Sequence, residues 1–274
     1  MTTDKAVLSV DFELFTHTPA YRGVSGSIAD ETLGLDAWPF LRELLAEHDA
    51  TATFFVVAEV AQQYPDTIAS IADAGHEIAS HTLTHPLLTD LPQDEQRMEL
   101  QRSRTVLEDV TGETVNGFRA PAFKRPAGFF PLLDDVGYTY DSSIVPARKI
   151  PGWYGGEYSI TEPCSMTNLA PGAPDIYELP LSIMPGIRLP LSGAWTRLLG
   201  RRYTLLGLEL LRRSDTIPVL YTHPWELVEL PSVEGLPKRV SWRTGEWMRE
   251  TFRQILSMEY EFVPASSVVG VDAL

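Results

Sequence analysis

Short apolar segments of strand length alternate along the chain with longer segments of helical spacing. A run of roughly four to eight apolar residues predicts a buried strand, and apolar residues three and four apart predict a helix. The segments that read as strands are 5–10, 50–58, 76–80, 115–121, 138–144, 217–224 and 260–269. The segments that read as helices are 35–48, 59–75 with a break near Pro65, and 92–112. Because strands joined by helices of this length pair in parallel, we expect about seven βαβ units, which favours an α/β barrel.

The segment 145–200 departs from this alternation, since Pro and Gly recur in the runs PGWYGGEY, LAPGAPD and LPLSGAW. This composition predicts long loops with short extended pieces, and long loops inside a compact domain are usually functional. No linker, tandem repeat or low-complexity tract divides the 274 residues. Residues 1–274 are therefore expected to form a single domain with a loop-rich insertion around 145–200.

The composition excludes several classes of protein. A net charge of −15 repels nucleic acid phosphates and anionic lipid headgroups, so neither is an expected partner. The single cysteine, Cys164, excludes an internal disulfide and a cysteine-based zinc site. No apolar stretch reaches transmembrane length, so no stable membrane insertion is expected. The N-terminus MTTDKAVLSV lacks the features of a signal peptide, and a cytoplasmic location is expected.

Lysine is scarce in this acidic chain. The lysines are Lys5, Lys124, Lys149 and Lys238. An acidic, lysine-poor surface is typical of a salt-adapted protein, and a G+C-rich genome that encodes arginine in place of lysine produces the same composition. The sequence leaves both explanations open.

Polar side chains of catalytic type fall where predicted strands end. Asp11 and Glu13 follow the first strand, and His81 and His85 follow the third. The others are Arg119 in FRAP, Asp141 in YDSS and His223 in YTHPWEL. In an α/β barrel the carboxyl ends of the strands meet on one face, where active sites lie. We therefore expect these residues to converge on one site.

His81 and His85 are spaced to place two imidazoles on one side of a helical turn. An isolated pair of this kind is usually a turn with two solvated histidines. Asp11 and Glu13 alternate along a strand, so both carboxylates face the same side. One of them would complete a two-His, one-carboxylate site, and the other would stay free as a base. Such a site leaves positions open for water and substrate, as catalytic metal sites do.

Five motifs occur in order along the chain: SVDFE, SHTLTHP, FRAPAF, YDSS and LYTHPWE. They resemble the motifs of the polysaccharide deacetylase (NodB-homology) family, carbohydrate esterase family 4, in its HPWE-containing branch. The resemblance implies a distorted (β/α)7 TIM-like barrel of the NodB-homology type. It also implies a divalent metal ion, usually zinc and sometimes cobalt, nickel or manganese. The implied reaction removes N-acetyl groups from an acetylated sugar, an amino-sugar glycan or glycan precursor.

The resemblance implies roles for the acidic and histidine residues. Asp11 matches the catalytic base, and His81 and His85 match metal ligands. The usual first motif of the family is TFDDG, in which the metal-binding acid directly follows the base. This chain has Phe12 at that place and an acid one residue later. The D-x-E pattern therefore implies Glu13 as the third metal ligand.

The remaining motifs imply the other catalytic groups. Arg119 matches the arginine that orients the base. His223 matches the general acid that protonates the departing amine, and Asp141 matches the carboxylate that orients it and raises its pKa. A backbone N–H near Ala122 or Phe123 is expected to hold the oxyanion.

Several further residues are placed by type alone. Glu226 and Trp225 are expected in the pocket wall, although simple packing explains Trp225 equally well. Arg197 is expected near the substrate. The aromatic residues expected either to stack on sugar rings or to pack within the loops are Trp153, Tyr154 and Trp195. His17 is expected in a loop or at the mouth of the site, and His48 and His76 are expected at helix ends.

Two other functions fit the same motifs. The D-x-E pattern resembles branches that include allantoinase-like amidohydrolases, which act on a non-sugar cyclic amide. The second alternative is an inactive sugar-binding barrel, which glycan binding without turnover would favour. The sequence does not indicate an oligomeric state.

Overall fold

The computed structural model describes residues 5–151, 153–169 and 172–270. The strands are β1 (Lys5–Phe12), β2 (Thr53–Val56), β3 (Glu77–Ser80), β4 (Gly117–Phe118), β5 (Tyr140–Asp141), β6 (Cys164–Ser165), β7 (Tyr177–Glu178), β8 (Val219–Thr222) and β9 (Glu261–Phe262). The helices are α1 (Pro19–Arg22), α2 (Ala37–Glu47), α3 (Ala58–Gln63), α4 (Pro65–Asp73), α5 (Gln93–Thr111), α6 (Phe129–Val136), α7 (Gly193–Leu199), α8 (Arg201–Arg213), α9 (Lys238–Ser241), α10 (Glu246–Leu256) and α11 (Ala265–Val269).

These strands form one sheet in the order β6-β7-β5-β4-β3-β2-β1-β8, and β9 pairs with the amino end of β1. Among the described strands only β6 is antiparallel to its neighbour, and the other pairs are parallel. Helices connect most of the parallel strands, as right-handed βαβ crossovers require. The result is the curled parallel sheet of a distorted α/β barrel, and the predicted fold class is confirmed.

β1 is an interior strand of the sheet because it pairs on both sides. Ser9 aligns with Thr53 of β2 and with Tyr221 of β8. Every residue of β1 after Lys5 is buried, as is usual for a parallel strand covered on both faces. The run of apolar residues in KAVLSVDF therefore carries Asp11 into the interior of the protein.

Loop residues bridge the gap between the two ends of the sheet. The N–H of Ser182, which follows β7, donates to the carbonyl of Val219 in β8 (3.0 Å). Ser182 Oγ accepts a hydrogen bond from the N–H of Val219 (2.8 Å), and Ser192 forms a parallel bridge with Tyr221. The loop-rich segment 145–200 thus contributes part of the barrel wall in addition to β6, β7 and α7.

The predicted helices occur where the sequence places them. α5 occupies nearly all of the segment 92–112 and ends at Gly112, whose φ of 72° is the left-handed conformation common at helix ends. α3 and α4 meet at Pro65, which begins α4, so the predicted break is confirmed. In the described part of the chain, no helix is both long and apolar enough to cross a lipid bilayer.

The predicted strand over 260–269 is wrong after Phe262. Pro264 has no N–H to donate to a neighbouring strand, and its φ of −67° suits the start of a helix. The chain therefore leaves the sheet and forms α11. Helices α6, α8 and α10 occur where no helix is predicted.

Glu77 connects four elements at the amino end of the sheet, opposite the predicted site. Its carboxylate accepts hydrogen bonds from Thr53 Oγ1 (2.7 Å), the hydroxyl of Tyr140 (2.8 Å) and the N–H of Ser266 (3.1 Å). These donors are buried and belong to β2, β5 and α11.

We expect Glu77→Ala to lower the free energy of unfolding by about 2–4 kcal/mol, because three buried donors lose their acceptor. Urea titration followed by circular dichroism measures this change. The control is Glu47→Ala, which removes an exposed carboxylate at the end of α2 and should change the stability by less than about 0.5 kcal/mol. Equal unfolding free energies for the two variants would contradict the role of Glu77.

Candidate active site

The predicted site residues lie at or just beyond the carboxyl ends of β1, β3, β4, β5 and β8. They are Asp11, Glu13, His81, His85, Arg119, Asp141 and His223. All are buried except His223, whose side chain is 19% exposed. Contacts connect six of these residues, and Asp141 lies in a separate set of contacts.

Glu13, His81 and His85 are buried together, and one ligand atom from each lies within 4.8 Å of the others. The ring centroids of the two histidines are 4.9 Å apart, and His85 Nε2 is 2.7 Å from Glu13 Oε2. The helical turn predicted for the two histidines is wrong. Thr82 and His85 have left-handed φ angles of 67° and 59°, and this reversal of the chain, not a helix, brings both rings to Glu13.

Glu99 of α5 holds the loop between the two histidines. Its Oε2 accepts hydrogen bonds from the N–H groups of Leu83 (2.9 Å) and Thr84 (3.0 Å), and its Oε1 accepts one from the hydroxyl of Thr84 (2.9 Å). Thr82 Oγ1 accepts a hydrogen bond from the N–H of His85 (3.1 Å). Sequence reasoning missed Glu99, whose only signal is an acid on the buried face of a helix.

Hydrogen bonding fixes the tautomer of His81. Its Nδ1–H donates to the carbonyl oxygen of Arg119 (2.7 Å), since that oxygen can only accept. Burial lowers the pKa of His81 to about 4. The imidazole is therefore neutral near pH 7 with the lone pair on Nε2, the usual arrangement of a metal-binding histidine.

Glu13 supplies a charged and incompletely paired carboxylate. Burial alone would raise the pKa of Glu13, but the facing histidines, His85 foremost, hold this pKa well below its ordinary value. The indole N–H of Trp225 donates to Oε1 (3.2 Å). Oε2 lies close to His85 but is not aligned with a donor, so it is a buried oxygen without a hydrogen bond.

Two imidazole nitrogens and a buried carboxylate oxygen form a donor set that suits a divalent cation. The unpaired Oε2 of Glu13 is the kind of atom that such a cation satisfies. His81 presents a nitrogen lone pair and is not protonated at neutral pH, as metal binding requires. Glu13, His81 and His85 could therefore hold a metal ion.

Arg119 holds Asp11 beside this cluster. Its Nη1 donates to Asp11 Oδ1 (2.5 Å) and to Ser9 Oγ (2.9 Å). Its Nε and Nη2 donate to the carbonyl (3.1 Å) and hydroxyl (2.8 Å) of Ser142. The guanidinium lies over the ring of Phe55, 4.0 Å from its centroid. Arg119 is therefore fixed on all sides, and it fixes one oxygen of Asp11 in turn.

His223 lies between two carboxylates. Its Nδ1 is 3.5 Å from Glu226 Oε2, and its Nε2 is 3.8 Å from Glu13 Oε1. The indole of Trp225 stacks on the imidazole at 4.8 Å with an interplanar angle of 19°. Burial lowers the pKa of His223, but the carboxylates, Glu226 foremost, outweigh burial and raise this pKa above its ordinary value.

Glu226 is a fully buried carboxylate with a complete set of donors. It accepts hydrogen bonds from Arg197 Nε (2.8 Å), Thr222 Oγ1 (2.7 Å) and the N–H of His223 (3.1 Å). Although burial raises its pKa, the charge of Arg197 lowers the pKa of Glu226 to about 2. Gly193, which begins α7, lies so close that a Cβ there would collide with the carboxylate.

Arg197 is buried behind Glu226, so its predicted place near the substrate is wrong. Its Nη1 donates to three carbonyl oxygens, those of Arg239, Val240 and Trp242. The guanidinium therefore neutralises and positions Glu226. Sequence reasoning did not connect these two residues because they are far apart along the chain and in different elements.

Asp141 does not lie beside His223, so the predicted pairing is wrong and Glu226 takes that place. Asp141 accepts hydrogen bonds from the hydroxyl (2.6 Å) and the N–H (3.1 Å) of Ser143. The register of β5 and β7 aligns Asp141 with Glu178. Burial raises the pKa of both carboxyl groups, and the charge of Asp141 raises the pKa of Glu178 further. Motif spacing could not reveal this register.

Ser143 also holds the loop that follows β4, because its Oγ accepts the N–H of Ala120 (2.8 Å). In this loop Ala122 and Phe123 have positive φ angles of 50° and 58°. The N–H of Phe123 donates to the carbonyl of Ala120 (2.9 Å) and is not available to a ligand. Of the two predicted oxyanion donors, the N–H of Ala122 is thus the remaining candidate.

The predicted sugar-stacking residues pack on one another. The rings of Trp153 and Trp195 are 5.6 Å apart, and Trp195 Nε1–H donates to the hydroxyl of Tyr154 (3.1 Å). Trp153 is 37% exposed. Loop packing therefore accounts for these residues, and Trp153 also offers a free surface.

Two of the histidines expected in loops or at helix ends are buried. The ring of His17 stacks 6.2 Å from that of His85, and burial lowers the pKa of His17 to about 4. His76 packs against Trp38 and Phe54. His17 thus lines the site, whereas His76 belongs to the core.

Comparison with known proteins divides the chain in two. Residues 31–140 match the polysaccharide deacetylase family model, and residues 142–269 match a domain of unknown function, DUF3473. A peptidoglycan-N-acetylglucosamine deacetylase from Bacillus cereus is 33% identical over 97 residues, covering 35% of this chain and 33% of the relative. The chain spans about a third to two fifths of the curated relatives it first matches.

Solved structures share the fold over almost the whole chain. A Mycobacterium smegmatis protein described as a polysaccharide deacetylase superposes with a TM-score of 0.67 and 24% identity, covering 97% of this chain and 90% of that one. The Puue allantoinase superposes with a TM-score of 0.67 and 17% identity, covering 98% of this chain and 90% of that one. At these identities the likeness concerns the fold alone.

We expect the protein to bind one zinc ion, and His85→Ala to weaken that binding at least about tenfold because one ligand is lost. Calorimetric titration of zinc into chelator-treated protein measures the affinity. The control is His48→Ala, which removes a histidine at the end of α2, far along the chain from the cluster. Equal zinc affinities for His85→Ala and the unmodified protein would contradict a site at this cluster.

Proposed function

We propose that the chain is a metal-dependent hydrolase that removes N-acetyl groups from an amino-sugar glycan or glycan precursor, and the match of residues 31–140 to the polysaccharide deacetylase family model supports this proposal. One observation carries the proposal. The buried cluster of Glu13, His81 and His85 lies in contact with a base candidate held by arginine and an acid candidate held by a carboxylate. This arrangement suits hydrolysis of an amide.

Glu13, His81 and His85 would hold the metal ion, and zinc is the ion that best suits two imidazoles and one carboxylate. A bound divalent cation would supply Lewis-acid polarisation of the acetyl carbonyl and of a water molecule. The protein residues around the cation then position the reactants and move the protons.

Asp11 is the proposed general base. Arg119 occupies its Oδ1 through a charge-assisted hydrogen bond, which leaves Oδ2 to take a proton from the attacking water. Ser9 and Ser142 hold the guanidinium and so prevent Asp11 from turning into the metal cluster. The separation of base and ligand roles between Asp11 and Glu13 rests on this hydrogen bonding.

His223 is the proposed general acid. Glu226 raises the pKa of His223 and thereby keeps a proton on the imidazole. Its Nε2 faces Glu13. The departing amine would lie at this edge of the site. Proton transfer from His223 to the amine completes the cleavage, in which water and the amide yield acetate and a free amino sugar.

The N–H of Ala122 is the proposed protein donor to the oxyanion. Ala122 has a left-handed backbone, and the hydrogen bond from the N–H of Ala120 to Ser143 Oγ holds this loop. Asp141 and Glu178 therefore act on the site through this loop and not through the acid.

The same groups could hydrolyse a cyclic amide that is not a sugar, and the D-x-E first motif supports this second candidate. Comparing acetate release from N-acetylglucosamine oligomers with ring opening of allantoin separates the two.

We also propose that the two matched regions act as one domain. β5, at the end of the first region, pairs with β4 on one side and with β7 of the second region on the other. Both regions supply site residues, since His81 lies in one and His223 in the other.

We expect Asp11→Asn and His223→Ala each to lower kcat for acetate release from N-acetylglucosamine oligomers by a factor on the order of 10²–10⁴, because each removes a proton-transfer group. Release of acetate measured by a coupled assay gives the rate. His48→Ala is the matched control and should retain the rate of the unmodified protein. Near-native turnover in either variant would remove the role assigned to that residue.

We expect Glu226→Gln to move the alkaline limb of the rate profile to lower pH. The general acid must be protonated, its pKa sets that limb, and the substitution removes the carboxylate that raises this pKa. The rate measured from pH 5 to 10 locates the limb. Asp141 is the residue first predicted to orient His223, and Asp141→Asn should leave the pH of the alkaline limb unchanged. A shift in Asp141→Asn and none in Glu226→Gln would reverse our assignment.

A further inference from the structure

A cleft of about 300 Å³ opens beside the proposed active site and has a basic lining. Lys124, Arg125 and Lys149 line it, and Glu157 is the one acid among its lining residues in the described chain. This concentration of cations is unusual in a chain of net charge −15 with four lysines. The volume of the cleft is at the lower end of the range for small-ligand sites, roughly 300–1,000 Å³.

Arg125 is the most buried cation of the cleft. Its side chain is 12% exposed, lies over the ring of Tyr158 at 4.9 Å and pairs with Glu157 through Nη2 (2.6 Å). Its Nε and Nη1 are buried and have no hydrogen-bond acceptor. A guanidinium with two unsatisfied donors is a costly arrangement that an added oxyanion would relieve.

Glu157 shows that a carboxylate fits against Arg125, and it is easily displaced. Its side chain is 72% exposed on a loop, and ion pairs with so exposed a partner contribute little to stability. The charge of Arg125 opposes the rise that burial causes in the pKa of Asp141 and of Glu178.

A row of packed aromatic rings runs from the cleft to the proposed active site. Lys124 directly follows Phe123, and the ring of Phe123 contacts those of Tyr154 (5.4 Å) and Tyr221 (5.0 Å). The ring of Tyr221 contacts that of His223 (5.6 Å). A sugar whose acetamide lies at His223 would therefore place its neighbour along the chain against the cleft.

We propose that this cleft binds an oxyanion, either a carboxylate or a phosphate, carried by the residue next to the acetylated sugar. The oxyanion displaces Glu157 and pairs with Arg125. This inference rests on the proposed function and names its substrate class as an anionic glycan or sugar phosphate. Lys124 and Lys149 add long-range attraction at the rim.

The test compares three disaccharides that differ only beside the acetylated sugar. They are neutral di-N-acetylchitobiose, its 1-phosphate, and N-acetylglucosaminyl-N-acetylmuramic acid, which carries a carboxylate. We expect kcat/KM for one of the anionic compounds to exceed that for the neutral one by roughly tenfold or more. The better of the two anions identifies the source as phosphate or carboxylate.

Arg125→Gln and Lys149→Gln should each reduce this preference, and Lys238→Gln, which removes an exposed lysine of α9, should retain it. Lys149 is exposed, so its variant keeps the test valid should Arg125→Gln fail to fold. Equal kcat/KM for all three compounds, or a preference that survives both substitutions, would overturn the subsite.

Binding of the same compounds to the Asp11→Asn variant, measured by calorimetry, separates this inference from the proposed function. A preference for an anionic compound without turnover in the unmodified protein would retain the subsite and reject the deacetylase. Turnover of all three compounds without any preference in binding would retain the deacetylase and reject the subsite.

Discussion

The guanidinium of Arg119 is buried completely at the carboxyl edge of the barrel, where its hydrogen bonds reach Asp11, Ser9 and Ser142. The carbonyl of the same residue accepts the Nδ1–H of His81. One residue thus fixes an oxygen of the base candidate and the tautomer of a ligand candidate. Removing one partner of such a buried ion pair typically costs about 3–5 kcal/mol, so the barrel and the site depend on the same interaction.

A second buried pair organises the opposite side of the site. Arg197 holds Glu226, and Glu226 accepts the backbone N–H of His223 and lies 3.5 Å from its ring Nδ1. The close approach of Gly193 to this carboxylate explains why α7 begins with a residue that has no side chain. The base candidate Asp11 is therefore paired directly with Arg119. The acid candidate His223 is linked to Arg197 through the carboxylate of Glu226.

Sequence reasoning reached the fold because hydrophobic periodicity and strand-end polar residues are local signals. It placed β1, β3 and β8 closely enough to predict which loops meet. It failed where the outcome depends on register or on long-range packing. Asp141 faces Glu178 because of the pairing of β5 with β7, and the turn between His81 and His85 is held by Glu99, which accepts the N–H groups of Leu83 and Thr84. Neither relation is visible in motif spacing.

The central claim is that Glu13, His81 and His85 enclose one cation while Asp11 remains on Arg119. An anomalous-scattering map from crystals grown with zinc, recorded on both sides of the zinc absorption edge, tests it most directly. The account predicts one peak bonded to those three side chains, with Asp11 still hydrogen-bonded to the guanidinium. A map without a peak there, or a peak bonded to Asp11 in place of Glu13, would contradict it.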